Sequence, residues 1–261
     1  MINQPLASIH PEAKIAPGVE IGPFVFIDKN VEIGEGTKIY AHATILEGSR
    51  IGRNCQIFPH AVVGGIPQDL KFKGEESLAI IGDNTTLREC ATVNRGTASR
   101  GRTVVGSNCL LMAYSHVAHD CVVADNVIMA NACQLAGEVE IGPFAVLGGG
   151  TMIHQFTKVG RNVMIQGGCK VLKDVPPFVT AGRDPLMFAG VNSIGMRRRG
   201  FSDEHIAIIH EAYRILYQQK LNTTNALAKI EATLEAIPER DEIVKFIRTS
   251  SRGIIKGFFD E

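Results

Sequence analysis

The stretch Ile27-Asp28-Lys29-Asn30-Val31-Glu32-Ile33-Gly34-Glu35-Gly36-Thr37-Lys38-Ile39 shows the rule by which the chain is built: an aliphatic residue returns at every sixth position. Outward from it, the series runs back through Ile21, Ile15 and Ile9 and forward through Ile45, Ile51, Ile57 and Val63. It resumes at Ile81, Leu87 and Val93, then runs unbroken from Val105 through Leu111, Val117, Val123, Met129, Leu135, Ile141, Leu147, Ile153, Val159 and Ile165 to Val171. Only Asp69, Glu75 and Ser99 interrupt it, and the frame is the same on both sides of each break. The breaks therefore predict loops pushed out of an intact repeat. Four residues after each aliphatic comes a small or β-branched residue (Ala13, Val19, Val25, Val31, Thr37, Ala43, Ser49), and Gly, Asn and Asp crowd the positions between.

A period of six is neither the 3.6 of a helix nor the 2 of a plain strand. It is the hexapeptide signature of a parallel β-helix. Each hexad supplies a short strand and a turn, with its aliphatic residue pointing into a shared interior. Three hexads to a coil place residues eighteen apart on adjacent strands, roughly 4.8 Å from each other. The inward positions are then structural, and function belongs to the outward columns and the loops.

The 261 residues balance 27 basic against 27 acidic side chains, which gives no support for nucleic acid as a partner. Met1 to His10 lacks the charged and apolar regions of a signal peptide. No stretch approaches the ~20 apolar residues of a membrane span, so the expected location is cytoplasmic, without membrane insertion. Five of the six cysteines (Cys55, Cys109, Cys121, Cys133 and Cys169) fall in the small inward slot. They are expected to be reduced packing residues; Cys90 lies outside the slot and receives no role.

Residues 1–186 are expected to form the β-helix and residues 187–261 a C-terminal helical domain. One loop, from about Gly65 to Ala79, carries Gln68-Asp69-Leu70-Lys71; a second, Arg95 to Thr103, is rich in Gly, Arg and Thr. Excursions from a solenoid often build binding sites. Pro176-Pro177 is expected to end the repeat. Beyond about Met187 the pattern turns helical: Ser202 reads as an N-cap before Ile206, Ile209, Tyr213 and Leu216. Thr224 is expected to cap a second helix with Leu227, Ile230, Leu234 and Ile237, and Pro238 to open a third with Ile243 and Ile247. Together they would cover an open end of the solenoid, where strand edges are otherwise exposed.

Chemistry gathers in the hexad Val117-Ala118-His119-Asp120-Cys121-Val122. With three hexads per coil, His119, Gly137 and Gln155 form one vertical column, and His116 and His154 lie close to it. An imidazole takes a proton near neutral pH, and an unobstructed Gly137 N–H suits an oxyanion. Gln155 is placed to hold a polar substrate. No Ser or Cys nucleophile shares the column, which favours direct transfer over a covalent acyl-enzyme.

His116-Val117-Ala118-His119-Asp120-Cys121, Gln68-Asp69-Leu70-Lys71, Leu135-Ala136-Gly137 and Ile153-His154-Gln155-Phe156 together resemble the UDP-N-acetylglucosamine O-acyltransferases that open lipid A biosynthesis. Asp174-Val175-Pro176-Pro177, Gly190-Val191-Asn192 and Arg198-Arg199-Gly200-Phe201 extend the resemblance nearly end to end. It implies a mainly β protein, a left-handed parallel β-helix, although left-handed crossovers run against the usual rule for parallel strands. It implies a homotrimer with active sites between subunits and a 3-hydroxyacyl chain moved from acyl carrier protein to the sugar 3-hydroxyl. By the same resemblance His119 is the general base, Asp120 orients it, and Gly137 supplies the oxyanion N–H. That His119–Asp120 pairing requires a turn, because neighbours on a straight strand point apart. Gln68, Asp69 and Lys71 would reach the sugar and acyl region; His116, His154 and Gln155 would contact the sugar nucleotide. Asn192, Arg198 and Arg199 would hold the uridine diphosphate, two guanidiniums suiting a pyrophosphate. Gly167 would leave the acyl groove open to a long chain. The acidic carrier would land on Arg161, Lys170, Lys173 and Arg183. No cofactor or metal is implied.

The sequence departs from the family pattern at Asn94 and Glu138, where many members carry histidine, and at Ile194, where a carboxylate can face the base. A negative Glu138 beside His119 keeps open an amino rather than hydroxyl acceptor. The alternative is thus a related hexapeptide N-acyltransferase acting on an amino sugar nucleotide. Such enzymes normally carry an N-terminal domain before the repeats, whereas the hexads here begin by Ile9. Other rivals are a CoA-dependent acetyltransferase, a zinc hydratase using His116, His119 and His154, for which at least three ligands are needed, and a non-enzymatic scaffold.

Overall fold

The computed structural model describes residues 5–257. Part of the Met1–His10 stretch and the outer limits of the two expected domains lie outside the described residues. Paired strands of mostly two residues, one residue out and one in, stack into a three-faced parallel β-helix. Among the described residues the first face holds nine strands, from Ser8–Ile9 to Lys170–Val171, and the second eight, from Lys14–Ile15 to Lys158–Val159. The third holds eleven, beginning at Glu20–Ile21.

Pairing follows the predicted register. Ile9 lies beside Ile27, Ile15 beside Ile33 and Ile21 beside Ile39, each eighteen residues on. Backbone bonds such as His10 N–H to the Ile27 carbonyl (2.8 Å) join the coils. The aliphatic column and the small slot are buried together along the axis. Polar members of the slot are satisfied there. The Thr37 hydroxyl donates to the Gly52 carbonyl at 2.8 Å, and the Cys121 thiol to the Ala136 carbonyl at 3.1 Å. Burial pushes the Cys121 thiol up to about 12, which fits an inert packing residue.

The corners explain the Gly, Asn and Asp between the aliphatics. The third residue after each inward aliphatic commonly takes a left-handed backbone, as at Asn30 (φ 51), Asn126 (φ 60) and Gly36 (φ 70). Glycine and asparagine enter that region most easily.

Both loops leave from the corner between the first and second faces. Across the first loop Val63 pairs with Val93, thirty residues on, and across the second Val93 pairs with Val117, twenty-four on. Each excursion returns the chain to its frame. The Glu75 carboxylate accepts the Ala98 N–H (2.9 Å), clasping the two loops together.

The coil outlasts its six-residue rule. Pro176-Pro177 does not end the solenoid. Val179–Gly182 still pairs parallel to Met164–Ile165, now sixteen residues apart (Ile165 with Ala181), and Met187–Val191 folds back antiparallel on it. Four helices follow: α1 (Ser193–Arg197), α2 (Asp203–Gln218), α3 (Thr223–Thr233) and α4 (Pro238–Thr249). Ser202 caps α2 as expected, accepting the His205 N–H. The cap of α3 is Asn222 rather than Thr224, because its carboxamide reaches the Asn225 N–H at 2.8 Å. Helix α1 is too short to show as a periodicity. Tyr213 of α2 donates to the Pro177 carbonyl at 2.5 Å, and Lys256–Gly257 pairs with Met187–Val191 at the edge of the third face. Among the described residues no helix is long and apolar enough to cross a membrane.

Ile39→Ala, on the inward column, is expected to cost about 3 kcal/mol of unfolding free energy. Lys38→Ala, next to it but exposed, should stay within about 0.5 kcal/mol. Chemical denaturation of the two variants checks the assignment of faces.

Candidate active site

His119 sits at the corner between the first and second faces, the corner from which both loops emerge. One residue on, Asp120 takes φ 60, and this turn folds its carboxylate back beside its neighbour. Asp120 Oδ2 lies 2.8 Å from His119 Nδ1, the pairing that a straight strand forbids. Oδ2 also accepts the Thr97 hydroxyl at 2.6 Å, and Oδ1 accepts the N–H groups of Thr97 (3.0 Å) and Arg100 (3.2 Å). The Asp120 N–H donates to the Thr103 hydroxyl at 2.8 Å. The carboxylate is fully buried and His119 only 8% exposed. With Nδ1 engaged, Nε2 is the ring nitrogen left free.

Eighteen residues on, Gly137 packs under the imidazole. A Cβ built there would stand 2.5 Å from His119 Cε1 and 2.6 Å from Nε2, so any side chain would displace the ring. The Gly137 N–H makes no hydrogen bond among the described residues. Gln155 continues the column, and the His154 ring donates through Nδ1 to the Gln155 carbonyl at 3.0 Å.

These residues border a cleft of about 730 Å³ along the first face. Gln68, Asp69, Leu70 and Lys71 of the first loop form one wall, with His116, His119, Gln134, Gly137, Met152 and Gln155 opposite. Asp69 Oδ1 accepts the Lys71 N–H (2.9 Å), which shapes the loop tip. His116 Nδ1 meets the Thr92 hydroxyl at 2.7 Å. Burial, helped by His119 nearby, holds the His116 imidazole below its usual value, so it is neutral at neutral pH. Among the described residues no three His, Cys, Asp or Glu side chains are gathered as a metal ion would require.

Other expected residues stand elsewhere on this chain. Asn192, Arg198 and Arg199 lie at the corner between the second and third faces. Asn192 caps α1 through the Gly195 N–H (3.1 Å) and donates to the Asn162 carbonyl (2.9 Å). Arg199 donates to the Gly195 carbonyl (2.9 Å) and lies over the Phe144 ring, while Arg198 is exposed. Burial and the neighbouring Arg198 charge hold Arg199 below its usual value. Ile194 is exposed on α1. Gly167 is exposed at the third corner, between the third and first faces, against Gly149. The four proposed carrier contacts do not form a strip: Arg161 pairs with Glu242 of α4 at 3.3 Å, and Lys170, Lys173 and Arg183 occupy different faces and corners.

Glu138 also differs from expectation. Its carboxylate accepts the Ser99 hydroxyl (3.2 Å) and lies 3.8 Å from the Arg100 guanidinium, so its charge is answered by the second loop. Asn94 is buried, with its Nδ2 unpartnered among the described residues. Sequence reasoning missed Thr97, Arg100 and Thr103. The signal was present as the loop's Thr and Arg content, but nothing in spacing said that they turn toward Asp120.

Comparison with known proteins matches residues 174–255 to the family described as Udp N-acetylglucosamine O-acyltransferase, Domain 2, and residues 102–137 to bacterial transferase hexapeptide repeats. Residues 3–104 match the GMPPB C-terminal domain. The acyl-[acyl-carrier-protein]–UDP-N-acetylglucosamine O-acyltransferase of Trichlorobacter lovleyi is 48% identical over 255 residues, covering 96% of this chain and 98% of its own. That of Thermodesulfovibrio yellowstonii is 45% identical over 251 residues, covering 96% and 97%. The crystal structure of the Bacteroides fragilis UDP-N-acetylglucosamine acyltransferase LpxA superposes with a TM-score of 0.96 at 58% identity, covering 98% of this chain and all of that one. The fold class is therefore the left-handed parallel β-helix of hexapeptide repeats with C-terminal helices. By sequence along its whole length and by structure, the chain belongs to the UDP-N-acetylglucosamine O-acyltransferase family.

Proposed function

We propose that this acyltransferase moves a 3-hydroxyacyl chain from acyl carrier protein to the 3-hydroxyl of UDP-N-acetylglucosamine, the opening step of lipid A biosynthesis, in the cytoplasm. The observation that carries the mechanism is the Asp120-tethered His119, packed in the cleft against bare Gly137. His119 Nε2 takes the proton of the sugar hydroxyl as its oxygen attacks the thioester carbonyl. The developing oxyanion accepts the unengaged Gly137 N–H. The C–S bond then breaks, the imidazolium returns the proton to the carrier thiolate, and an ester remains. Asp120 stabilises the imidazolium between the two steps. Gln68, Asp69, Lys71, His116, His154 and Gln155 hold the sugar and acyl groups around this centre.

The hydroxyl acceptor is the better reading. Glu138, the residue that kept an amino sugar open, is turned to Ser99 and Arg100 rather than left as a free charge beside the base.

The separation of Asn192, Arg198 and Arg199 from His119 by the width of a face supports a homotrimer, with each site shared by two subunits. Exposed aromatic rings agree with self-association. Phe24, His42 and His60 stack up the third corner with centroids 5.0 and 5.2 Å apart, and Tyr114 extends the same corner, exposed. Exposed apolar surface of this kind marks interaction sites. Residues 1–186 then form the catalytic solenoid and 187–261 the helical domain that supplies the diphosphate contacts to a neighbour.

In an assay with UDP-N-acetylglucosamine and a panel of 3-hydroxyacyl carrier proteins, His119→Ala is expected to lower kcat by about 10³-fold. Gly137→Ala should lower it by about 100-fold, both variants keeping their fold by circular dichroism. Wild-type rates in either would remove the mechanism. Co-refolding His119→Ala with Arg198→Glu chains should recover about a quarter of wild-type activity, the share of interfaces that pair two intact halves. No recovery would place both halves in one subunit. Gly167→Met should shift the preferred acyl chain to a shorter length in the same panel, and unchanged selectivity would detach Gly167 from the acyl groove.

A further inference from the structure

The second loop departs from the coil at Asn94 and returns at Arg102–Val105, and its interior is built around one carboxylate. Thr97 is itself buried and gives Asp120 both its N–H and its hydroxyl, one to each carboxylate oxygen. The Arg100 N–H adds a third bond. The loop is braced to hold these donors still. The Gly101 N–H closes on the Thr97 carbonyl at 2.7 Å, the Ser99 N–H on the Thr97 hydroxyl at 3.2 Å, and the Gly96 N–H on the Leu78 carbonyl at 3.1 Å. A side chain at Gly96 would run into the backbone of Arg102. Outside, the Arg100 guanidinium reaches Glu140 at 2.8 Å, and Ala98 is held by Glu75 of the first loop. A solvent-exposed turn with no task needs none of this.

We propose that Thr97 is a positioning residue for the acyl transfer. Its hydroxyl shares Asp120 Oδ2 with His119 Nδ1, so it sets both where the imidazole points and how strongly the carboxylate holds the imidazolium. The inference rests on the reading of His119 as the base. Hydrogen bonds to a carboxylate shared in this way are charge-assisted and directional. Groups behind a catalytic or metal-bound histidine act by fixing its tautomer and basicity. Two effects follow from removing the hydroxyl. The carboxylate loses one of its four anchors, so Nε2 is less often aligned with the cleft and kcat falls. Oδ2 also keeps more of its negative charge for Nδ1–H, which favours the imidazolium and moves the acid limb of the rate profile to higher pH.

The test is steady-state kinetics against pH on the full-length protein carrying Thr97→Val, Thr97→Ala or Thr97→Ser, beside His119→Ala. The expected result is a kcat about tenfold lower in Thr97→Val and Thr97→Ala, with KM for UDP-N-acetylglucosamine within about twofold. The acid limb of kcat/KM should rise by about half a pH unit. Thr97→Ser, which keeps the hydroxyl, should restore both. Wild-type kcat and pH profile in Thr97→Val and Thr97→Ala, with His119→Ala inactive, would overturn the role of Thr97 and leave the base in place. Full activity in His119→Ala would overturn both. Equal losses in Thr97→Ser and Thr97→Val with an unmoved acid limb would reduce Thr97 to a structural turn residue. If Thr97→Val does not fold, Thr97→Ala, which adds no branched bulk, and Thr97→Ser decide between these outcomes.

Discussion

Backbone hydrogen bonds between residues eighteen apart are the constraint on which the molecule depends. They fix the vertical distance between coils at the spacing of paired strands, and every column on the surface inherits that spacing. The imidazole of His119 rests on Gly137 because one coil is one strand-spacing high, with no room for a Cβ between them. The hydrophobic interior matters to the site mainly as the filler that holds this spacing, since it buries the aliphatic column without directing any functional side chain.

Corners, rather than faces, carry the chemistry. Two-residue strands have one outward position each, whereas a corner turns three residues away from the axis and admits a left-handed backbone. Asp120 exploits that freedom to reach back to His119, and Glu138, in the same position one coil later (φ 59), turns to the second loop. Both loops leave from this corner, and they clasp each other through Glu75 and Ala98. One wall of the cleft and the rear support of the dyad are therefore parts of one braced assembly.

Much of this was legible in the chain itself, for a physical reason. A repeat whose every unit needs the same inward residue writes its architecture as a period, so Ile9 to Val171 disclosed the coil, its register and both interruptions. The column His119–Gly137–Gln155 followed by counting. What stayed hidden depends on contacts between residues that no period links. Thr97 and Arg100 meet Asp120 across twenty or more residues through an irregular loop. The continuation of the solenoid past Pro176-Pro177 was masked because its register there is sixteen. Helix α1 was too brief to show, and Asn222 outcompeted Thr224 as a cap through one side-chain bond. The diphosphate residues were identified by resemblance, but counting gave no hint that Asn192 and Arg199 would face a different corner from the base.

The cysteines of the small slot have a use that their inertness creates. Cys55, Cys109, Cys121, Cys133 and Cys169 are sealed within the coils at intervals along the axis, while Cys90 sits half-exposed at a corner with φ 59. A thiol-reactive dye therefore finds one ready target on the intact solenoid and gains the others only where coils part. Labelling followed by peptide mapping would turn these sulfurs into a row of timers, reporting from which end the rod unwinds.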